Sequence, residues 1–395
     1  MSKVFVTGMG TISSLGRTVE ENRTSLREGI SGIGRLENFN SKYAGVLPFA
    51  EVKLGTESLK EYLSISDRGV TRTSLLALHA CLEALDDSGL SREEVQSHRT
   101  AFIGANTVGG MCLTDELYSD ANRTKDASPF IASYDAGSVS IFVQEQLIIR
   151  GISNTINTAC SSSANVIMFG CRLIKNGLAD RVIVGGVDSL AKFTINGFNS
   201  LHILSPEPCT PFDNDRKGLN LGEAAAFLIL EKEELVRNKN VYAEVSGYAN
   251  ANDAFHPSSL SEEGEGPYKS MIEAIMIAGL LPKQIDYINV HGTATENNDR
   301  VESRAMIKLF VDVPEFSSTK SNTGHTLGAA GALESVFSIL SLYHGELYPH
   351  LRFNAPISET GLVPVKEYKK TTLSHVMSNS FGFGGNCSSL VFSKV

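Results

Sequence analysis

The chain reads as an α/β protein, of two domains or of one large duplicated unit, and three observations carry that reading. Short β-branched runs alternate with longer stretches of helical period along the whole sequence. At 395 residues the chain exceeds the usual size of one domain and has room for two halves around a large core. Finally, INTACSSSANVIMFGCRLI (156–174) and SSTKSNTGHTLGAAGALESVFSIL (317–340) echo one another: each leaves a strand end, passes small polar residues and enters a helix lined with small side chains.

In chain order, the runs VFVTG (4–8), TAFIG (100–104), RVIVGG (181–186), AAAFLILE (224–231) and DYINV (286–290) are expected strands, and TSLLALHACLEALDDSG (73–89) is an expected helix. The alternation predicts largely parallel sheets covered by helices. The stretch NANDAFHPSSLSEEGEGPY (250–268) is the most loop-like.

Composition narrows the function classes. A hydrophobic share of 42% with 20% charged residues is that of an ordinary soluble globular protein. The start MSKVFVTGMG enters a strand at once and shows no leader, and no apolar run approaches the roughly 18 residues of a membrane span, so a cytoplasmic protein is expected. Six cysteines (Cys81, Cys112, Cys160, Cys171, Cys209 and Cys387) include no CxxC pair and no ligand spacing, which argues against both a disulfide scaffold and structural zinc. The formal charge of −9 and the lack of Lys/Arg runs argue against nucleic acid, so any acidic partner must meet a local basic patch. TGMGTISSLG lacks the third glycine of a dinucleotide fingerprint.

Cys160 stands at an expected strand-to-helix junction. A helix beginning near Ser161 aims its free N–H groups and positive end at the sulfur, which favours the thiolate nucleophile, and Thr158, Ala159 and Ser161 to Ser163 are small enough for a carbonyl to approach. Free cysteine is also among the most buried and inert residue types, and on this segment alone the two readings balance. His291, closing DYINV and opening HGTATENND, and His325, in STKSNTGHTLGAAGA, shift the balance, because ligands gather at the carboxyl ends of strands in α/β sheets. The histidines at 79, 98, 202, 344, 350 and 375 are read as structural, and His256 is left open. Lys320 and Glu334 flank His325 at a spacing that suits a charged network fixing the histidine's tautomer. In MSNSFGFGGNC (377–387), Gly382, Gly384 and Gly385 allow close backbone approach, so the Phe383 N–H is a candidate oxyanion donor.

Taken together, VFVTGMGTISSLG, TACSSS, VGGVDS, TPFDNDRKGLNLGEAA, HGTAT, STKSNTGHTLGAAGALES and NSFGFGG resemble the elongating, Cys-His-His type of β-ketoacyl-acyl-carrier-protein synthase of the thiolase superfamily. The resemblance spans nearly the whole chain. It implies a thiolase-like duplicated αβαβα layered fold, with residues 1–240 as the half carrying the nucleophilic cysteine and 241–395 as the half carrying both histidines. It implies an acyltransferase that loads an acyl group on Cys160 and condenses it, by decarboxylation, with a malonyl thioester on an acyl carrier protein. His291 and His325 complete the triad, Lys320 supports it, Thr293 and Thr295 contact the pantetheine arm, and the N–H groups of Cys160 and Phe383 hold the oxyanion. Val108 and Met111, in GANTVGGMC (104–112), line the far end of the acyl tunnel, with Phe198 and Phe383 nearer the sulfur. No metal or redox cofactor is implied, and the partners are the carrier protein and a second subunit, either the same chain or a related synthase-like one. The family's GFGGTN ending is GFGGNC here, and the basic cluster for carrier docking reduces to Lys60, Arg68 and Arg72. A thiolase, with Cys387 as second cysteine, and a non-catalytic chain-length subunit are the competing readings.

Overall fold

A computed structural model describes residues 3–38 and 41–395. Its strands are β1 Val4–Ile12, β2 Thr100–Ala105, β3 Ser153–Ile156, β4 Arg181–Asp188, β5 Ala224–Lys232, β6 Ala243–Asn252, β7 Tyr287–Asn289, β8 Glu315–Ser317, β9 Glu346–Leu347, β10 Lys369–Lys370, β11 His375–Gly382 and β12 Asn386–Ser393. The β-branched run of β4 is buried on both faces, as a central strand between helical layers requires. Gly185 in it is obligatory for packing, since a Cβ there would stand 2.2 Å from the Ala226 carbonyl of β5.

Ten strands form one sheet in the order β3-β2-β4-β5-β1-β6-β12-β11-β7-β8. Read outwards from the β1/β6 junction, each side presents its first, fifth, fourth, second and third strand, with the same pairing senses. The two sides meet through only Phe5–Glu244 and Val6–Ala243. The sequence echo is therefore the trace of a duplicated topology. The sheet is mixed rather than largely parallel: five of its nine pairings are antiparallel. The cause is the return of each side's fifth strand between its first and fourth, which local β-branched content does not encode.

Helices build three layers around the strands. Arg72–Ser88 is capped by the Thr71 side chain, which accepts the Ser74 N–H, and stops at Gly89 in the left-handed region. Its Leu75, Leu76 and Leu78 cover Ile12, Phe227 and Ile229 on one outer face. Glu265–Ile277 and Glu296–Leu309 cover the other, where Met271, Ile275 and Met306 pack on Met377 and Val391. Between the two sides lie Ser162–Lys175 and Ala330–His344, whose Val166, Ile167, Val336 and Phe337 share one core with Val184 and Leu228 of one side and Val376 and Leu390 of the other. This is the αβαβα layering. The two central helices cross tightly, because Gly331 lies where a Cβ would be 2.5 Å from the Ala164 nitrogen. Cys160 and His325 precede these two helices, so the crossing brings the equivalent turns of both halves together. Among the described residues no helix is long and apolar enough to cross a membrane.

Candidate active site

The Cys160 turn is fixed by its own small residues. Ala159 holds φ of 55°, a left-handed conformation that costs a non-glycine residue about 1–2 kcal/mol. Asn157 Oδ1 accepts the Ala159 N–H at 3.0 Å and Ser162 Oγ accepts the Thr158 N–H at 2.8 Å, which offset that strain. The helix then starts at Ser162. Gly382 packs against the turn, since a Cβ on it would meet the Thr158 carbonyl at 2.8 Å. This approach sets the Phe383 N–H against the Cys160 sulfur, where it favours the thiolate.

Asn386, at the departure from the GFGGTN pattern, ties the turns together. Its Oδ1 accepts from Ser161 Oγ at 2.7 Å, Asn165 Nδ2 at 2.9 Å and Asn250 Nδ2 at 2.7 Å. The segment carrying Phe383 is thereby hydrogen-bonded to the segment carrying Cys160. The sequence offered no periodic or spacing signal for this network, whose members come from three elements.

His291 and His325 are buried, with ring centroids 5.4 Å apart and planes at 85°. Burial, then the Lys320 charge, holds both imidazoles well below the ordinary histidine range, so both are neutral near pH 7. Their tautomers follow from their neighbours. Lys320 Nζ donates to His291 Nδ1 at 3.3 Å, and the Leu327 N–H donates to His325 Nδ1 at 3.2 Å. Each ring therefore carries its proton on Nε2, leaving two N–H donors. Lys320 also forms a fully buried ion pair with Glu334, whose carboxyl burial pushes up to about 7 against the pull of the lysine. The expected network exists, but Lys320 sets the tautomer of His291 rather than that of His325. Glu302 accepts the backbone N–H groups of His291 and Gly292 at 2.8 and 2.9 Å and anchors that loop.

Two cavities meet at the sulfur. A small one of about 40 Å³ is lined by Cys160, His291, His325, Thr293, Thr295 and Phe383, and a larger one of about 360 Å³ by Cys160, Val108, Met111, Phe193, Phe198 and Phe383. All residues singled out for substrate contact thus lie on one of the two. Phe198 and Phe383 stack at 5.8 Å and 15° where the cavities adjoin. Phe193 and Leu201 also line the larger one while remaining 65% and 47% exposed, so its wall is open to the outside of this chain.

Three expectations need correction. Cys160 is not poised as a thiolate: burial pushes its thiol up to about 11, outweighing the Phe383 N–H and the Lys320 charge. Arg72 is no docking residue, because it is buried against Glu223, with Nη2 to Oε1 at 2.6 Å, and donates to the Leu54 carbonyl at 2.9 Å. Cys387, the candidate second cysteine of a thiolase, sits in a separate apolar cluster with Leu260, Val301 and Phe381 and lines neither cavity. Among the structural histidines, His79 bonds the Arg17 carbonyl, and His350 joins Pro211 to Ser318. His256 is exposed beside Ser258.

Comparison with known proteins matches residues 1–235 to the β-ketoacyl synthase N-terminal domain and 242–354 to the C-terminal domain. The chain belongs to the β-ketoacyl synthase family. It is 34% identical to 3-oxoacyl-acyl-carrier-protein synthase 2 of Coxiella burnetii, over 100% of this chain and 99% of the relative. Among solved structures, the ishigamide ketosynthase/chain length factor aligns with a TM-score of 0.91 at 29% identity, covering 100% of this chain and 99% of that one. A ketosynthase in complex with its chain length factor from Xenorhabdus doucetiae aligns at 0.86 and 31%, covering 100% and 98%. The family and the full-length match make this chain a condensing acyltransferase with the thiolase-like fold.

Proposed function

We propose that this chain transfers an acyl group from a carrier-protein thioester to Cys160 and condenses it with malonyl-carrier protein, giving β-ketoacyl-carrier protein and carbon dioxide. The observation that carries the reading is the pair of neutral imidazoles with protons on Nε2, facing one cavity with the cysteine. In loading, Sγ adds to the thioester carbonyl, the Cys160 and Phe383 N–H groups take the oxyanion, and the thiol proton ends on the departing carrier thiol. In the second step the malonyl carboxylate leaves as carbon dioxide and the enolate oxygen accepts from His291 and His325. The carbanion then attacks the acyl-cysteine carbonyl and releases the Cys160 thiolate, which burial drives to take up a proton from solvent.

Thr293 and Thr295, whose hydroxyls lie 2.9 Å apart on the small cavity, receive the pantetheine arm, and the larger cavity receives the acyl chain. Residues 1–240 and 241–395 act as the two catalytic halves, the first supplying the nucleophile and the second the imidazoles. The partners are an acyl carrier protein and a second subunit, the same chain or a chain-length subunit, in a cytoplasmic fatty-acid or polyketide-type pathway. The open wall at Phe193 and Leu201 and the exposed edge strand β3 support such a partner. Of the basic candidates, Lys60 and Arg68 remain on a cavity of about 870 Å³ adjoining Phe193. The test is His291→Ala: malonyl decarboxylation should collapse while acylation of Cys160 by an acyl-carrier thioester persists. Equal loss of both steps would refute the division of roles.

A further inference from the structure

Asp188 ends β4 with no exposure, and the chemistry above makes no use of it. Its carboxylate takes five hydrogen bonds from neutral donors. Oδ1 accepts the N–H groups of Thr107 at 2.9 Å and Val108 at 2.8 Å. Oδ2 accepts the Thr107 N–H at 3.1 Å, the Thr107 hydroxyl at 2.6 Å and the Gly328 N–H at 2.7 Å. Thr107 and Val108 are wall residues of the acyl cavity. Gly328 follows Leu327, which lines that cavity too, holds φ of 53°, and donates its N–H to His325 Nδ1. No other residue fits at 328, because a Cβ there would lie 2.8 Å from Asp188 Oδ2 and 3.1 Å from Thr107 Cγ2.

One carboxylate thus holds the acyl wall with one oxygen and shares the other between that wall and the corner that fixes the tautomer of His325. We propose that Asp188 is a positioning residue that couples an acyl chain in the cavity to the readiness of His325 for the decarboxylation step. An acyl chain pressing on Thr107 and Val108 loads Oδ2 toward or away from Gly328, and the Leu327 N–H, held at a strained left-handed residue, follows. The coupling has a short path: wall, carboxylate, corner, imidazole. Burial raises the Asp188 carboxyl to about 6 despite these donors, which fits a group whose hydrogen bonds are needed to keep it charged.

The inference rests on the proposed function, and its test separates the two. Asp188→Asn retains a carbonyl for the wall N–H groups but sets an NH2 group against the Gly328 N–H. Thr107→Val removes only the hydroxyl that competes for Oδ2 and is the milder variant. For wild type and both variants, Cys160 acylation is followed by intact mass across a series of acyl-carrier primers, and carbon dioxide release from malonyl-carrier protein is measured on acylated and free enzyme. The ratio of the two release rates should fall at least about tenfold in Asp188→Asn, the size of one hydrogen bond to a charged acceptor, while loading changes by less than about twofold. Thr107→Val should shift the same ratio, and because Thr107 itself lines the acyl cavity its loading is read separately across the primer series. A ratio unchanged in both variants, or a loss of loading and decarboxylation in parallel, would overturn the coupling and leave Asp188 a plain brace. A wild-type enzyme that neither loads nor decarboxylates would overturn the proposed function and this inference with it.

Discussion

Replacing Lys320 separates two duties that the structure assigns to one ammonium group. Nζ neutralises Glu334 inside the core and donates to His291 Nδ1, and the two charged side chains are 1% and 2% exposed. Lys320→Met leaves Glu334 without its cation, and Glu334 Oε2 already has no hydrogen-bond partner. Breaking one side of a buried pair costs about 3–5 kcal/mol, whereas replacing both sides by apolar groups is often neutral or better. Lys320→Met should therefore melt well below wild type, and Lys320→Met/Glu334→Leu should recover. Neither variant restores the donor at Nδ1, so the His291 proton is no longer held on Nε2 and decarboxylation should stay about 10²–10³ below wild type in both, the scale of one lost oxyanion donor. Thermal melts and carbon dioxide release from malonyl-carrier protein give the two readouts. Recovery of decarboxylation together with stability in the double variant would refute the tautomer role.

Val108→Phe should fill the acyl cavity, block long primers and spare short ones, as judged by Cys160 acylation across a primer series; an unchanged length profile in a stably folded variant would remove Val108 from the wall. With its thiol at about 11, Cys160 in the free enzyme should be alkylated by iodoacetamide about tenfold faster per pH unit from 7 to 10, and a plateau below pH 9 would show that the helix N-terminus prevails over burial. Glu83, which burial raises to about 7, stabilises the fold fully only below the ordinary carboxylate pKa and loses that contribution as pH rises through 7. The melting temperature should therefore decline from pH 5 to 8, and less steeply in Glu83→Gln.

Much of this was legible because each motif carries its own local physics. The duplicated architecture showed in two matching strand-to-helix segments, and Cys160, His291, His325, Lys320 and Phe383 all stood at strand ends or glycine-rich turns, where side chains and N–H groups converge. What stayed hidden depends on pairings between distant elements. The antiparallel return of β5 and β12 is a matter of strand order, the clamp of Asn386 on Ser161, Asn165 and Asn250 assembles across both halves, and Arg72 became a core ion pair only through Glu223. The Cys160 thiol was misjudged for the same reason: a helix N-terminus is visible in sequence, whereas the desolvation that outweighs it comes from the surrounding fold. Asp188 did leave a trace, a carboxylate at the end of the VGGVD strand among otherwise uncharged residues, but its four donors lie on two other segments.

The central claim is that one sulfur carries the acyl group between the two half-reactions, and a two-stage mass experiment on the full chain addresses it directly. Incubation with an acyl-carrier thioester should add one acyl mass, mapped to Cys160 and absent in Cys160→Ala. Malonyl-carrier protein added next should discharge that mass and yield β-ketoacyl-carrier protein with one carbon dioxide per acyl group lost. An adduct that persists in Cys160→Ala, or one discharged to free acid with no extended product, would contradict the account.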